Sequence, residues 1–149
     1  MHIVLHQPEI HYNTGSIGRT CVAVGAKLWL VRPLGFRLDD RHLRRAGLDY
    51  WEHLDWEVVD DFDALLRRLP ESRMWFFSKT ATKSYSEVHF ATDDVLVFGS
   101  ESQGLPRSML EAHRGRCLRI PIHPDARSLN LSVSAAVIAF EVKRQQEVA

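Results

Sequence analysis

The sequence predicts an α/β domain built on a mostly parallel sheet flanked by helices, and three observations carry that reading. Short β-branched or aromatic runs alternate with segments of helical pattern. The chain has 149 residues, a length that suits one domain with a single core. Its composition, 45% hydrophobic and 26% charged, is ordinary for a globular protein and argues against disorder. No repeat or linker interrupts the alternation, so residues 1–149 are expected to form a single domain.

Taken in order, the opening run Met1-His2-Ile3-Val4-Leu5-His6 gives a strand near Ile3 to His6. It lacks the charged-then-apolar layout of a signal peptide. No apolar stretch approaches the roughly 20 residues of a membrane-spanning helix, so a cytoplasmic protein is expected. A helix should follow just after Asn13-Thr14-Gly15, with Asn or Thr capping its free N–H groups, and stop at Gly25. A strand is expected over Lys27 to Val31, and a helix over Asp39 to Ala46, punctuated by Gly47. Further strands are placed at Glu57 to Asp60, Met74 to Ser78, Val95 to Phe98 and Cys117 to Ile120. Asp61 to Leu69 reads as a helix ended by Pro70, and Pro106 fits the first turn of another that runs to about His113.

The last helix has the clearest signal. Val133, Ala136, Val137 and Phe140 recur at i, i+3, i+4 and i+7, which predicts a packed face, and Lys143, Arg144, Gln145 and Gln146 close it. Leu131, Ala135, Ile138 and Ala139 make its apolar surface wider than one stripe needs. A partner chain or simple burial in one domain would account for the excess.

Charge and cysteine usage exclude several classes. Nineteen basic and 19 acidic residues cancel, so any nucleic-acid contact must be local. Basic residues cluster at Arg41, Arg44 and Arg45, at Arg114, Arg116 and Arg119, and at Lys143 and Arg144; on charge alone, solvated faces explain such clusters better than phosphate binding does. Cys21 and Cys117 lie far apart and are expected to be buried thiols. None of the eight histidines shows ligand-type pairing, so no metal site is expected. No GxSxG elbow is present.

Three polar constellations remain. His11-Tyr12-Asn13-Thr14-Gly15-Ser16-Ile17-Gly18-Arg19-Thr20 follows the first strand and offers N–H groups to an anion, without the lysine of a P-loop or a GxGxxG pattern. Arg19 there either holds a phosphate or developing charge or pairs with a surface carboxylate. Val95-Leu96-Val97-Phe98-Gly99-Ser100-Glu101-Ser102-Gln103-Gly104-Leu105-Pro106 runs from an apolar strand into a small loop, at the strand end where open α/β sheets bind ligands. Glu101 orients a substrate group, completes a polar network, or is a solvated turn residue. Arg119-Ile120-Pro121-Ile122-His123-Pro124-Asp125-Ala126-Arg127-Ser128-Leu129-Asn130-Leu131-Ser132 joins the last strand to the last helix, with Ser128 or Asn130 as its cap.

Together these segments resemble the three motifs of the SPOUT superfamily of RNA methyltransferases, in order and over essentially the whole chain. Gly35-Phe36, Asp39-Asp40 and Leu43-Arg44-Arg45-Ala46-Gly47-Leu48-Asp49-Tyr50 further resemble the branch that methylates the 2'-hydroxyl of the wobble nucleotide of tRNA. Ser16 and the Gly99-Ser100-Glu101-Ser102 stretch vary the family pattern, which bears on substrate choice more than on reaction type. The resemblance implies a C-terminal deep trefoil knot and a homodimer. It implies S-adenosylmethionine around Phe77, Gly99, Ile120, Ser128 and Leu129. It also implies a reaction centre of Asn13, Arg19, Glu101, Ser128 and Asn130, and an anticodon loop held by Arg41, Arg44, Arg45 and Tyr50.

A guanidinium is a poor base in ordinary surroundings, so Arg19 is expected to polarise the hydroxyl or hold its phosphate as readily as to take its proton. Alternatives are methylation of another tRNA or rRNA position, and a catalytically idle RNA-binding factor. Retention of all five reaction-centre residues argues against idleness.

Overall fold

The computed structural model describes residues 1–39 and 48–148. The expected helix from Asp39 to Ala46, and with it Arg41, Arg44 and Arg45, thus lies outside the described residues beyond Asp39 itself. Tyr50 falls in the 3-10 turn Leu48–His53.

Six strands form one sheet: β1 (His2–His6), β2 (Lys27–Val31), β3 (Trp56–Val59), β4 (Met74–Phe77), β5 (Val95–Phe98) and β6 (Cys117–Leu118). Every pairing between them is parallel, in the order β3-β2-β1-β5-β4-β6. The chain winds outward from β1 to β3, then crosses to the far side for β4 and returns to insert β5 beside β1. The order therefore reverses between β1 and β5, and ligands of open α/β sheets bind at such a reversal, outside the carboxyl ends of the strands.

Helices cover both faces, which explains why the strands read as unbroken apolar runs. Ile3, Leu5, Leu28, Leu30, Leu96 and Phe98 point to one face and pack on α1 (His11–Val24) and α4 (Leu131–Val148) through Ile17, Cys21, Ala135 and Ile138. Val4, Trp29, Val31, Met74, Phe76 and Val97 point to the other, against Leu65 of α2 (Phe62–Leu66) and Met109 and Leu110 of α3 (Arg107–Ala112). Each fully buried aliphatic side chain contributes about 1.5–3 kcal/mol relative to exposure.

Local signals hold at several ends. Asp61 accepts the Ala64 amide at 2.7 Å and starts α2, which closes at Leu66 in a further turn, short of the expected Leu69. Gly25 ends α1 in the left-handed conformation, at φ 71°. Pro106 immediately precedes α3.

Four expectations are corrected. Helix α1 begins at His11, with Ile10 at its cap position and no side-chain cap; Asn13 and Thr14 sit inside the helix, buried. Strand β6 stops at Leu118 because Arg119 leaves β4 and pairs with residues 83–85, giving its N–H to Lys83 O at 2.8 Å and accepting from Tyr85 N at 3.0 Å. The face of α4 packed on the sheet is Ala135, Ile138, Ala139 and Val142, while Val133 and Phe140 stand 47% and 50% exposed. Cys21 is buried, and burial pushes its thiol up to about 12, but Cys117 is only half-buried, its thiol facing the Leu110 and His113 carbonyls.

Near its C-terminal end, α4 pins the segment that follows residue 85. Gln145 accepts the Phe90 amide at 2.8 Å and donates to Val88 O at 3.1 Å. Glu141 in turn holds Gln145 at 2.9 Å and takes two bonds from Arg144.

Candidate active site

At the carboxyl ends of β4, β5 and β6 the structure opens a cavity of about 850 Å³. Its apolar wall includes Phe77 and Phe98, stacked with centroids 4.7 Å apart and planes 11° off parallel. Ile120, Ile122 and Leu129 extend that wall, and Ser78, Thr80, Ser128 and Asn130 add hydroxyl and amide groups. Lys79, Arg107 and Arg127 bring positive charge to the lining.

The loop after β5 is shaped by two glycines. A side chain on Gly99 would meet the Gly104 carbonyl carbon at 2.1 Å, and Gly104 itself lies at φ +67°. Only this pair lets the loop fold back on itself, with Gly104 N donating to Ser100 O at 3.0 Å. The close approach made possible at Gly99 is thus first of all to its own loop.

Glu101, at the tip of that loop, ties the site together. Its Oε1 accepts the Glu9 amide at 2.8 Å, and its Oε2 accepts the Ile10 amide at 2.7 Å and Asn13 Nδ2 at 3.1 Å. A carboxylate thus sits at the N-terminal end of α1, where the helix dipole favours it. The anion expected at this turn is supplied by the chain itself. Because Glu101 takes the Asn13 amide nitrogen, Asn13 Oδ1 faces away and accepts Asn130 Nδ2 at 3.0 Å. Asn130 Oδ1 then caps α4 through the Ser132 amide at 2.9 Å.

The tie is reciprocal, since Glu9 accepts the amide and hydroxyl of Ser102 at 3.0 and 2.6 Å. The Ser102 hydroxyl, then its amide, then the Ser100 hydroxyl hold the Glu9 carboxyl below the usual carboxylate range.

Of the residues expected from sequence, Phe77, Gly99, Ile120, Ser128 and Leu129 all line this cavity, as do Asn13, Glu101 and Asn130. Arg19 does not. It lies on the exposed side of α1, in a stripe with Tyr12, Ser16 and Ala23. Glu9 and the Ser78-Lys79-Thr80 turn were missing from the sequence reading. The turn had a legible signal, the carboxyl end of a buried strand; Glu9 had none.

The lining suits an adenosyl group joined to an amino acid. Flat apolar surface takes the purine, hydroxyls and amides take the ribose, and cations take a carboxylate.

Comparison with known proteins agrees with this geometry. The chain is 46% identical over 144 residues to the tRNA (cytidine(34)-2'-O)-methyltransferase of Saccharophagus degradans, covering 96% of this chain and 94% of that protein. It is 44% identical over 151 residues to the enzyme of the same name from Methylovorus glucosotrophus, covering 99% and 96%. Among solved structures, one described as giving insight into the 2-OH methylation of C/U34 on tRNA superposes with a TM-score of 0.93 at 46% identity, covering 99% of this chain and 97% of that one. An AdoMet-bound rRNA methyltransferase from Sinorhizobium meliloti superposes with a TM-score of 0.83 at 25% identity, over 96% of this chain and 55% of that one. The SpoU rRNA Methylase family model matches residues 1–140, and the chain belongs to that family.

Proposed function

We propose that this protein is an S-adenosylmethionine-dependent enzyme that methylates the 2'-hydroxyl of the wobble nucleotide of tRNA, cytidine or modified uridine, in the cytoplasm, and that the single domain suffices for it. The observation that carries the reading is the meeting of Asn13, Glu101, Ser128 and Asn130 around a cavity fitted to an adenosyl ligand. Relatives with near-complete mutual coverage bear the name of that activity.

The cofactor supplies an electrophilic methyl on a sulfonium. The chain supplies position. Phe77, Gly99, Ile120, Ser128 and Leu129 hold the ligand, and Asn13 and Asn130, fixed in orientation by Glu101, border the place where the ribose oxygen must arrive. Methyl transfer needs that oxygen in line behind the carbon, so fixed geometry contributes much of the rate. The hydroxyl proton would pass to solvent or to a neighbouring base.

Arg19 acts on the same reaction from a second subunit. It is absent from the cavity of its own chain, and it shares the outer side of α1 with Tyr12, 55% exposed. Helix α4, packed on α1 along the same sheet face, carries Val133 and Phe140 outward. Two such surfaces closing on each other form a homodimer and bring each Arg19 toward its partner's cavity, where a guanidinium stabilises developing charge on the oxygen or holds the adjoining phosphate. Arg41, Arg44, Arg45 and Tyr50, pooled from two chains, grip the anticodon loop.

The grip on Arg119, with β4 on one side of its strand and residues 83–85 on the other, supports a deep trefoil knot in the C-terminal part of the chain.

Transfer of labelled methyl from S-adenosylmethionine to tRNA, followed by mass spectrometry of the nucleosides, tests the proposal. A 2'-O-methylated wobble nucleotide is expected, with Arg19→Ala lowering kcat about 10²–10³-fold while cofactor affinity holds. Methylation at another position would move the substrate assignment. Cofactor binding with no transfer to any RNA would favour an idle binding factor.

A further inference from the structure

A second cavity, of about 590 Å³, opens at the carboxyl ends of β1 and β2. Residues from Ser100 to Arg107 divide it from the first, so the two share a wall. Its lining includes His6, Gln7, Leu34 and Gln103, none of which the mechanism above uses.

His6 draws attention to it. The residue is 6% exposed and touches Phe62 edge-on at 6.0 Å, and its imidazole has no hydrogen-bond partner among the described residues. The ring is largely withdrawn from bulk water yet borders an open cavity, from which a ligand can supply a hydrogen bond. Burial also lowers its proton affinity, leaving a neutral ring with one donor and one acceptor. The next residue, Gln7, holds φ at 54°, a left-handed backbone that costs a non-glycine residue free energy and is concentrated at functional places. Glu9, the acid in the lining, is already engaged by Ser102, and Arg107 at the shared wall is paired with Glu111 at 3.0 Å.

We propose that this cavity receives the pyrimidine base of the nucleotide being methylated, with His6 beneath it and Gln7 and Gln103 reading its edge. The proposal rests on the function argued above and adds how the base is held. A base seated here sets its ribose at the dividing loop and the 2'-oxygen toward the first cavity. The readers are reversible: a neutral imidazole changes tautomer and a side-chain amide rotates, so each presents either a donor or an acceptor. Cytosine offers an amino group beside an unprotonated ring nitrogen, and uracil offers the opposite pattern. One set of such groups accepts both, where a fixed carboxylate or guanidinium would accept one.

The test uses an anticodon-arm RNA with 4-thiouridine at the target position, irradiated on the full-length enzyme with S-adenosylhomocysteine bound, and the adducts mapped by mass spectrometry. Adducts at Gln7, Leu34 or Gln103 are expected; adducts confined to residues outside this cavity, on an RNA the enzyme does methylate, overturn this proposal alone. In parallel, Gln103→Ala, an exposed loop change, should raise KM about tenfold for cytidine and uridine RNAs with kcat held, and should have no effect on an RNA abasic at that position. An equal effect on the abasic RNA overturns it too. An RNA that the wild-type enzyme neither binds nor methylates overturns the functional reading, and this one with it.

Discussion

The two faces of α4 are written in nearly the same code and meet different fates. Ala135, Ile138, Ala139 and Val142 recur at i, i+3, i+4 and i+7 and are 0% exposed against the sheet. Val133, Ala136, Val137 and Phe140 recur at the same spacing two residues earlier, and Val133 and Phe140 are about half exposed. Periodicity therefore tells which residues share a face, and not what covers it. The inner face is closed by the chain's own strands. The outer one stands open, and it is the surface on which the proposed homodimer would close.

Substitution on the inner face should give the largest effect on folding. Ile138→Ala removes a fully buried side chain in contact with no solvent, and a loss of about 2–5 kcal/mol is expected in urea denaturation. Phe140→Asp should leave circular dichroism and the fold of the subunit essentially unchanged, but light scattering should report half the mass. A dimer that survives Phe140→Asp would erase the distinction between the two faces.

The smallest effect lies where α4 ends. Arg144 foremost, then Gln145, holds the Glu141 carboxyl down at about 2. A carboxylate with a depressed folded value stabilises above its unfolded value, near 4.5, and loses that contribution as pH falls through the folded one. Between roughly pH 4.5 and 2 the hold of Gln145 on Val88 and Phe90 should loosen. Hydrogen exchange at the Phe90 amide should then quicken in Glu141→Gln at neutral pH by a modest factor, and little further on acidification.

What was legible in the sequence was mostly local. Asp61 and Gly25 declare helix ends through contacts a few residues away, and β-branched or aromatic runs place all six strands within two residues of their observed bounds. The cavity-lining residues Phe77, Gly99, Ile120, Ser128 and Leu129 were legible through motif resemblance. The start of α1 was not, because its anion comes from Glu101, about 90 positions away, and no local pattern encodes a partner so distant. Arg19 was identifiable as a residue and not as a location: chain order sets it beside Asn13, while helical rotation turns it outward. His6 and Gln7 gave no signal, since a histidine and a glutamine at a strand end look like ordinary surface.

The bond between Asn13 and Asn130 spans 117 residues, and so fixes when the site can first exist. A nascent chain emerging from the ribosome exposes Asn13 early and must display a further 117 residues before Asn130 can reach it. A product that stops short of residue 128 lacks the wall that Ser128, Leu129 and Asn130 give the cavity. Competence to bind is thus tied to the emergence of residue 130, with contacts of high sequence separation setting its pace.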